Sequence, residues 1–358
     1  MSIPAQQKAL VLESKFGKFA LQTTDVPRPG PGDLLVKIEA AALNPADWKI
    51  QTYGILVNEY PVVLGADGSG IVIAVGEKIS PEAFAVGDRV TFQGDIDLEK
   101  QMLRGTYSQY LTIPHEAVAK FPDNLSFDEA ATVSSGVATA ALPLYNHVEG
   151  ADSVKLFPPW KEGGRGKYAG KSFLVVGGAT SMGQFAIQFA RLSGFSPIVA
   201  TASRHHTAFL KTLGATHVVD RKLSTGELQA EFAKIASGQF EVVYDAVSLA
   251  DTFPLSLAAT APGGHLVVVL SAAEIAEEAE KQGKNVHHAR GWFVAPINRE
   301  VSGPLLASLP KLLETGDIKP NRVEVLPGGL NGVVSGLERL KANQVSGVKL
   351  VVHPQETA

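Results

Sequence analysis

The sequence predicts an α/β protein of two parts, a partly closed antiparallel β-barrel and a doubly wound parallel sheet. Three observations carry this expectation. The first third is filled with short β patterns separated by Gly and Pro. From Ser172 onward strand-like and helix-like stretches alternate. The length, 358 residues, exceeds what one compact core usually holds.

In chain order, Lys8–Glu13, Leu34–Ala41, Gly70–Val75, Arg89–Phe92 and Tyr107–Ile113 read as strands, with Pro27, Pro29, Pro31, Gly65, Gly68 and Gly87 punctuating them. Ser126–Tyr145 reads as a helix, capped by Ser126 with Glu129 as its capping-box partner. The alternation then runs strand Ser172–Val176, helix to Leu192, strand Pro197–Thr201, helix to Leu213 and strand His217–Val219. Helix Gly226–Ala236, strand Phe240–Tyr244, helix Asp251–Ala259 and strand His265–Leu270 follow. From Leu305 two more helices precede a final strand, Val348–Val352, expected to rejoin the first part. The expected domains are therefore 1–133 with 305–358, and 134–304. Asn146–Lys171, rich in Pro, Gly and Lys, and the Ala/Glu-rich helix Ala272–Gln282 read as insertions.

Composition excludes several classes of function. Lys plus Arg number 32 against 36 acids, a formal charge of −4, so the chain lacks the positive excess that binding nucleic acid requires. With 0 cysteines it has no disulfide, no thiolate zinc site and no cysteine nucleophile. The N-terminal residues lack an apolar signal core, and the most apolar stretch, Val267–Ala273, is too short to span a bilayer. A cytoplasmic protein is expected.

The strongest local motif follows strand Phe173–Val176: Gly177-Gly178-Ala179-Thr180-Ser181-Met182-Gly183, leading into a helix. Small residues here let a turn close and bring backbone N–H groups to a pyrophosphate at a helix N-terminus. Thr180 stands where the middle glycine of the usual fingerprint falls, and its hydroxyl is a candidate phosphate donor. About 20 residues on, an enzyme using NAD would carry an acidic residue for the ribose hydroxyls. Thr201-Ala202-Ser203-Arg204-His205 stands there instead. Ser203 and Arg204 would accept a 2′-phosphate, a contact of about 1.5–3 kcal/mol for Arg, so NADPH is the expected cofactor.

Further motifs are Leu43-Asn44-Pro45-Ala46-Asp47-Trp48-Lys49, Gly65-Ala66-Asp67-Gly68-Ser69-Gly70, Gly87-Asp88-Arg89-Val90 and Gly105-Thr106-Tyr107-Ser108-Gln109-Tyr110. With the nucleotide turn, they resemble the medium-chain dehydrogenase/reductase superfamily over essentially the whole chain. The ending, Gly328-Gly329-Leu330 and Val345-Ser346-Gly347-Val348-Lys349-Leu350-Val351, is similar to trans-acting enoyl reductases of fungal polyketide pathways and to related fungal "zinc-binding dehydrogenase" proteins that need not bind zinc; the chain as a whole also resembles zinc-free quinone oxidoreductases. The resemblance implies a GroES-like barrel and a Rossmann domain. It also implies cofactor contacts from Asn44, Pro45, Thr139, the Gly177–Gly183 turn, Ser203, Arg204, Arg221, Val247, Leu270, Ser271, Ser346 and Lys349. Zinc alcohol dehydrogenases carry Cys at the position of Asn44 and His-Glu at Ala66-Asp67, and a four-cysteine lobe has no counterpart around Asp95 to Arg104. No metal site is expected, and an alcohol without a Lewis acid is a poor hydride donor.

The expected reaction is hydride transfer to the β-carbon of an α,β-unsaturated carbonyl, with Lys49 and Tyr53, following the Asn-Pro motif, as candidate catalytic donors facing a cleft between domains. Lys49 reads equally well as a surface charge and Tyr53 as packing. A quinone acceptor and a non-catalytic NADPH-binding role are the alternatives. His205, His206, His287 and His288 read as surface residues, and Asp47 as a loop tie. Lys155, Lys161, Arg165, Lys167 and Lys171 would suit an acidic carrier protein bearing the acyl chain. The chain is expected to be a monomer or a homodimer paired through an edge strand around Ala289–Ala295.

Overall fold

A computed structural model describes residues 3–97 and 102–358; residues 98–101, within the Asp95 to Arg104 stretch expected to lack a cysteine lobe, lie outside the described residues. The chain divides into two compact units, the first made of 1–135, 292–316 and 320–358, the second of 136–291 with 317–319. The segment 292–304, expected in the second domain, thus belongs to the first unit.

In the first unit one sheet runs Val118–Lys120, Arg89–Gln93, Asp67–Val75, Asp33–Ala42, Lys349–Val352 and Val323–Val325, with Tyr110–Pro114 also pairing Asp33–Ala42. Phe19–Asp25, Gln6–Leu12, Val62–Val63, Met102–Arg104 and Asp95–Asp97 form a second sheet. Alternating apolar residues (Leu34, Val36, Ile38, Val72, Val90 and Phe92) bury one face into a common core with Leu10, Leu12 and Tyr107. The last strand returns as expected, Val351 lying opposite Ala42 and Val352 opposite Ala41. Ala42 also lies opposite Asp67, so this register gathers residues from three distant stretches of chain.

The second unit is a parallel sheet in the order His217–Asp220, Ile198–Ala202, Phe173–Val176, Phe240–Asp245, Thr260–Val268 and Asn285–His288. This is the doubly wound order, with its topological switch between Phe173–Val176 and Phe240–Asp245, where such folds bind their ligands. Leu174, Val176, Val199, Val243, Leu266 and Val268 are buried on the sheet, as strands covered on both faces require.

Three expected elements differ. The helix Ser126–Tyr145 is two helices, Phe127–Ala130 and Ser134–Tyr145. The Ser126–Glu129 capping box is present, but Thr132 between the helices bonds the Glu129 carbonyl and accepts from Asn321 N–H, fixing a turn. The helix expected after Leu305 begins at Arg299 and carries Pro304 within it. The edge strand expected around Ala289–Ala295 is irregular; the strand there is Asn285–His288. Backbone groups that a strand would present are taken by side chains: Phe293 N–H donates to Gln93 and the Trp292 carbonyl accepts from Asn298.

Candidate functional site

The first unit's candidate residues are arranged by one short helix. Asn44 caps helix Pro45–Tyr53, Pro45 occupies its first turn, and Gly54 ends it at φ 60°. Lys49 and Tyr53, four residues apart, project from one face. Trp48 lies beside both, its ring 5.8 Å from that of Tyr53 and 5.7 Å from the Lys49 ammonium. Tyr53 is 57% exposed, whereas Lys49 is partly buried and burial holds its ammonium below the ordinary lysine range.

Behind this helix is a closed polar cluster. Asp47 is buried; one carboxylate oxygen accepts from Asn44 N–H at 3.0 Å and Tyr107 O–H at 2.7 Å, the other from Gly65 N–H at 3.2 Å. Loss of hydration still dominates those three bonds, and with nearby Asp67 it raises the Asp47 carboxyl from 3.8 to about 6. Asp67, fully buried, accepts from Ser135 N–H at 2.7 Å on one oxygen. Its other oxygen takes Lys349 Nζ at 2.7 Å and Asn44 Nδ2 at 2.9 Å, while Lys349 also donates to Asn44 Oδ1 at 2.9 Å. These donors answer the cost of burying both charges.

The cluster occupies the positions that zinc relatives use for metal. Its donor set does not fit one, because Asn44 and Ala66 replace ligands and an ammonium already sits on the carboxylate of Asp67. Among the described residues no group of three or more His, Asp or Glu is arranged to hold a metal ion.

In the second unit the glycine-rich turn is sterically required. Gly177 has φ 80°, and a Cβ there would meet the Val247 side chain at 2.5 Å. A Cβ on Gly178 would lie 2.8 Å from that of Ala200, and one on Gly183 would collide with the Gly177 carbonyl oxygen. The hydroxyl of Thr180 accepts from Gly183 N–H at 3.0 Å, capping helix Ser181–Ser193. The cap explains a threonine at this point, and its O–H proton remains able to donate. Ala179, Ser181 and Met182 are partly exposed around the turn. Each collision is with the protein itself, so the glycines are what lets the turn close onto the helix N-terminus, an arrangement suited to a pyrophosphate.

At the end of the next strand Arg221 Nε donates to Ser203 Oγ at 3.0 Å. Arg204 pairs with Asp220 at 2.9 Å but is 80% exposed, so water screens that pair. Two guanidinium groups therefore flank Ser203, against one carboxylate. Thr139 is partly exposed; its carbonyl accepts from Tyr244 O–H at 2.8 Å. Leu270 is partly buried and Ser271 exposed beyond strand Thr260–Val268, and Ser346 in the first unit is exposed.

Two histidine expectations are corrected. His206 is only 5% exposed. His287 is engaged on both nitrogens, by His265 at 3.0 Å and by Asp152 at 3.0 Å, and His288 N–H also donates to Asp152. Through Asp152, the His287 ring and the His288 backbone N–H tie the insertion 146–171 to the sheet edge. In that insertion Arg165 pairs with Asp317, while Lys167 lies over Phe157 and Lys171 over Tyr168. Sequence reasoning left Asp67 and Tyr107 without a role. A lone Asp within Gly65-Ala66-Asp67-Gly68, among small residues in a barrel strand, was the available signal for a buried charge.

Comparison with known proteins agrees with this arrangement. Residues 30–123 match the alcohol dehydrogenase GroES-like domain and residues 181–289 the zinc-binding dehydrogenase domain. The chain is 32% identical to a trans-enoyl reductase of Alternaria alternata, over 96% of this chain and 98% of that one. It is 29% identical to a trans-enoyl reductase of Penicillium crustosum, over 98% and 97%. A putative zinc-dependent alcohol dehydrogenase of Rhizobium etli has the same fold, with a TM-score of 0.77 at 25% identity, covering 97% of this chain and 98% of that one. The chain is an oxidoreductase that belongs to the medium-chain dehydrogenase/reductase superfamily, among its zinc-free, enoyl reductase-like members.

Proposed function

We propose that this protein is an NADPH-dependent enoyl reductase of the cytosol that saturates the double bond of an α,β-unsaturated thioester or ketone, either free or borne on a carrier protein. The observation that carries the reading is the Lys49–Tyr53 face, two hydrogen-bond donors on one helix above a polar cluster without metal ligands, in a chain similar end to end to trans-enoyl reductases.

When bound, the reduced nicotinamide supplies a hydride, two electrons to the β-carbon. The double-bond electrons move to the α-carbon and carbonyl oxygen, giving an enolate that a proton then quenches at the α-carbon. Lys49 and Tyr53 donate to that oxygen as its charge grows. An ammonium held below its usual range by burial loses less to water and interacts more strongly with a developing anion. Asn44 and Pro45 hold the nicotinamide end, and the Gly177–Gly183 turn and Thr139 the phosphates. Val247, Leu270, Ser271 and Ser346 line the rest. Ser203, Arg204 and Arg221 take the 2′-phosphate, and their charge supports NADPH over NADH.

Steady-state NADPH oxidation tests the reading. An enoyl thioester or enone should outrun a simple quinone by at least about tenfold. Preference for the quinone would reassign the acceptor, and tight NADPH binding without turnover of any acceptor would favour a non-catalytic role.

A further inference from the structure

We propose that Lys349 and Asp67 are positioning residues that act on the reaction through Asn44. The inference rests on the enoyl reductase reading for its kinetic consequence, but its structural content stands on the cluster itself.

An amide side chain has two orientations of nearly equal shape, with oxygen and nitrogen exchanged. Here both ends are committed. Asn44 Oδ1 accepts from the Lys349 ammonium and Nδ2 donates to the Asp67 carboxylate. A flip would set oxygen against carboxylate and N–H against ammonium, losing two charge-assisted bonds at once. One N–H of Asn44 is left over by these bonds, and the partly exposed residue presents it in a single fixed sense. Lys349 is 4% exposed and its ammonium lies between Asp67 and Asn44, so it influences a cofactor by orienting the amide rather than by touching it.

Stability alone gives a weak reason for this pair. Buried ion pairs can often be replaced by apolar side chains of similar volume without loss of stability. Apolar side chains, however, cannot orient an amide. The fold goes to some length to place the lysine: residues 305 apart are brought together by the last strand, whose Lys349 N–H is held by the Arg322 carbonyl.

The test removes both charges together, since either one alone would strand the other and risk unfolding. Asp67→Leu/Lys349→Met should keep the melting temperature within a few degrees of wild type and NADPH affinity within about threefold, while kcat falls about ten- to a hundredfold. Asn44→Ala should cost a similar factor, and adding it to the double variant should cost little more, because all three changes remove one device. In the cofactor-free protein the Asn44 amide protons should exchange slowly, and rapidly in the double variant. Wild-type kcat in the double variant, or losses that multiply with Asn44→Ala, would overturn the proposal. If the wild type reduces no acceptor, the enoyl reductase reading fails and the amide exchange alone decides: slow exchange lost on removing the pair supports the lock, and unchanged exchange refutes it.

Discussion

The two units carry candidate residues built from opposite materials. The first uses buried side-chain charge: Asp47, Asp67 and Lys349 are each less than a twentieth exposed and hydrogen-bonded to one another's neighbours. The second uses backbone and exposed charge: a turn that only glycine can make, and arginines standing largely in water. Buried charges hold a geometry at a desolvation cost that several bonds must offset. Exposed charges cost little and contribute mainly when a ligand arrives to desolvate them. Buried charge of the first kind is suited to holding an orientation, and exposed charge of the second kind to taking up an anion.

This contrast can be broken most severely at Gly183. Gly183→Val should abolish measurable NADPH binding by calorimetry, since its side chain would collide with the Gly177 carbonyl; the cost is about 3 kcal/mol or more. Retained affinity would mean that the turn does not hold the cofactor.

The buried side is tested by pH. Asp47 has a carboxyl raised from 3.8 to about 6, so the native state binds its proton more tightly than the unfolded chain. The resulting stability is present below pH 3.8 and lost as pH rises through about 6. Urea unfolding should show Asp47→Asn gaining about 2–3 kcal/mol relative to wild type between pH 4 and 7. A pH-independent difference would mean that Asp47 ionises as if in water.

On the exposed side, Arg204→Ala should weaken NADPH about ten- to a hundredfold and leave NADH affinity unchanged, as fluorescence titration would show. Equal weakening of both would remove the 2′-phosphate assignment. The smallest effect belongs to Asp152→Ala, outside the site. It frees His287 and His288 N–H and should cost about 1 kcal/mol of stability with cofactor affinity unchanged.

The same contrast explains what the sequence disclosed. The Gly177–Gly183 turn was legible because a backbone constraint leaves its mark within a few residues, and the strand alternation around it followed from periodicity. The two-domain α/β architecture, the returning final strand and the Ser126–Glu129 cap were legible for the same reason. The Asn44–Asp67–Lys349 cluster was not, because its members meet only through strand register across 305 residues. Nothing local distinguishes Lys349 from a solvent-facing lysine. The break in the helix expected over Ser126–Tyr145 was hidden likewise: Thr132 answers to Asn321, a residue far along the chain. His287 was read as a surface residue because its surroundings at the sheet edge depend on an insertion whose path the sequence does not reveal.

The central claim, hydride delivery to the β-carbon of a conjugated carbonyl, is tested most directly by isotope position. The enzyme would be given NADPH deuterated at the transferred C4 position and an enoyl thioester, and the product read by NMR. The account predicts a saturated thioester carrying one deuterium at the β-carbon, with an α-hydrogen drawn from solvent. Deuterium on the carbonyl carbon of an aldehyde or alcohol product, with the double bond intact, would contradict it.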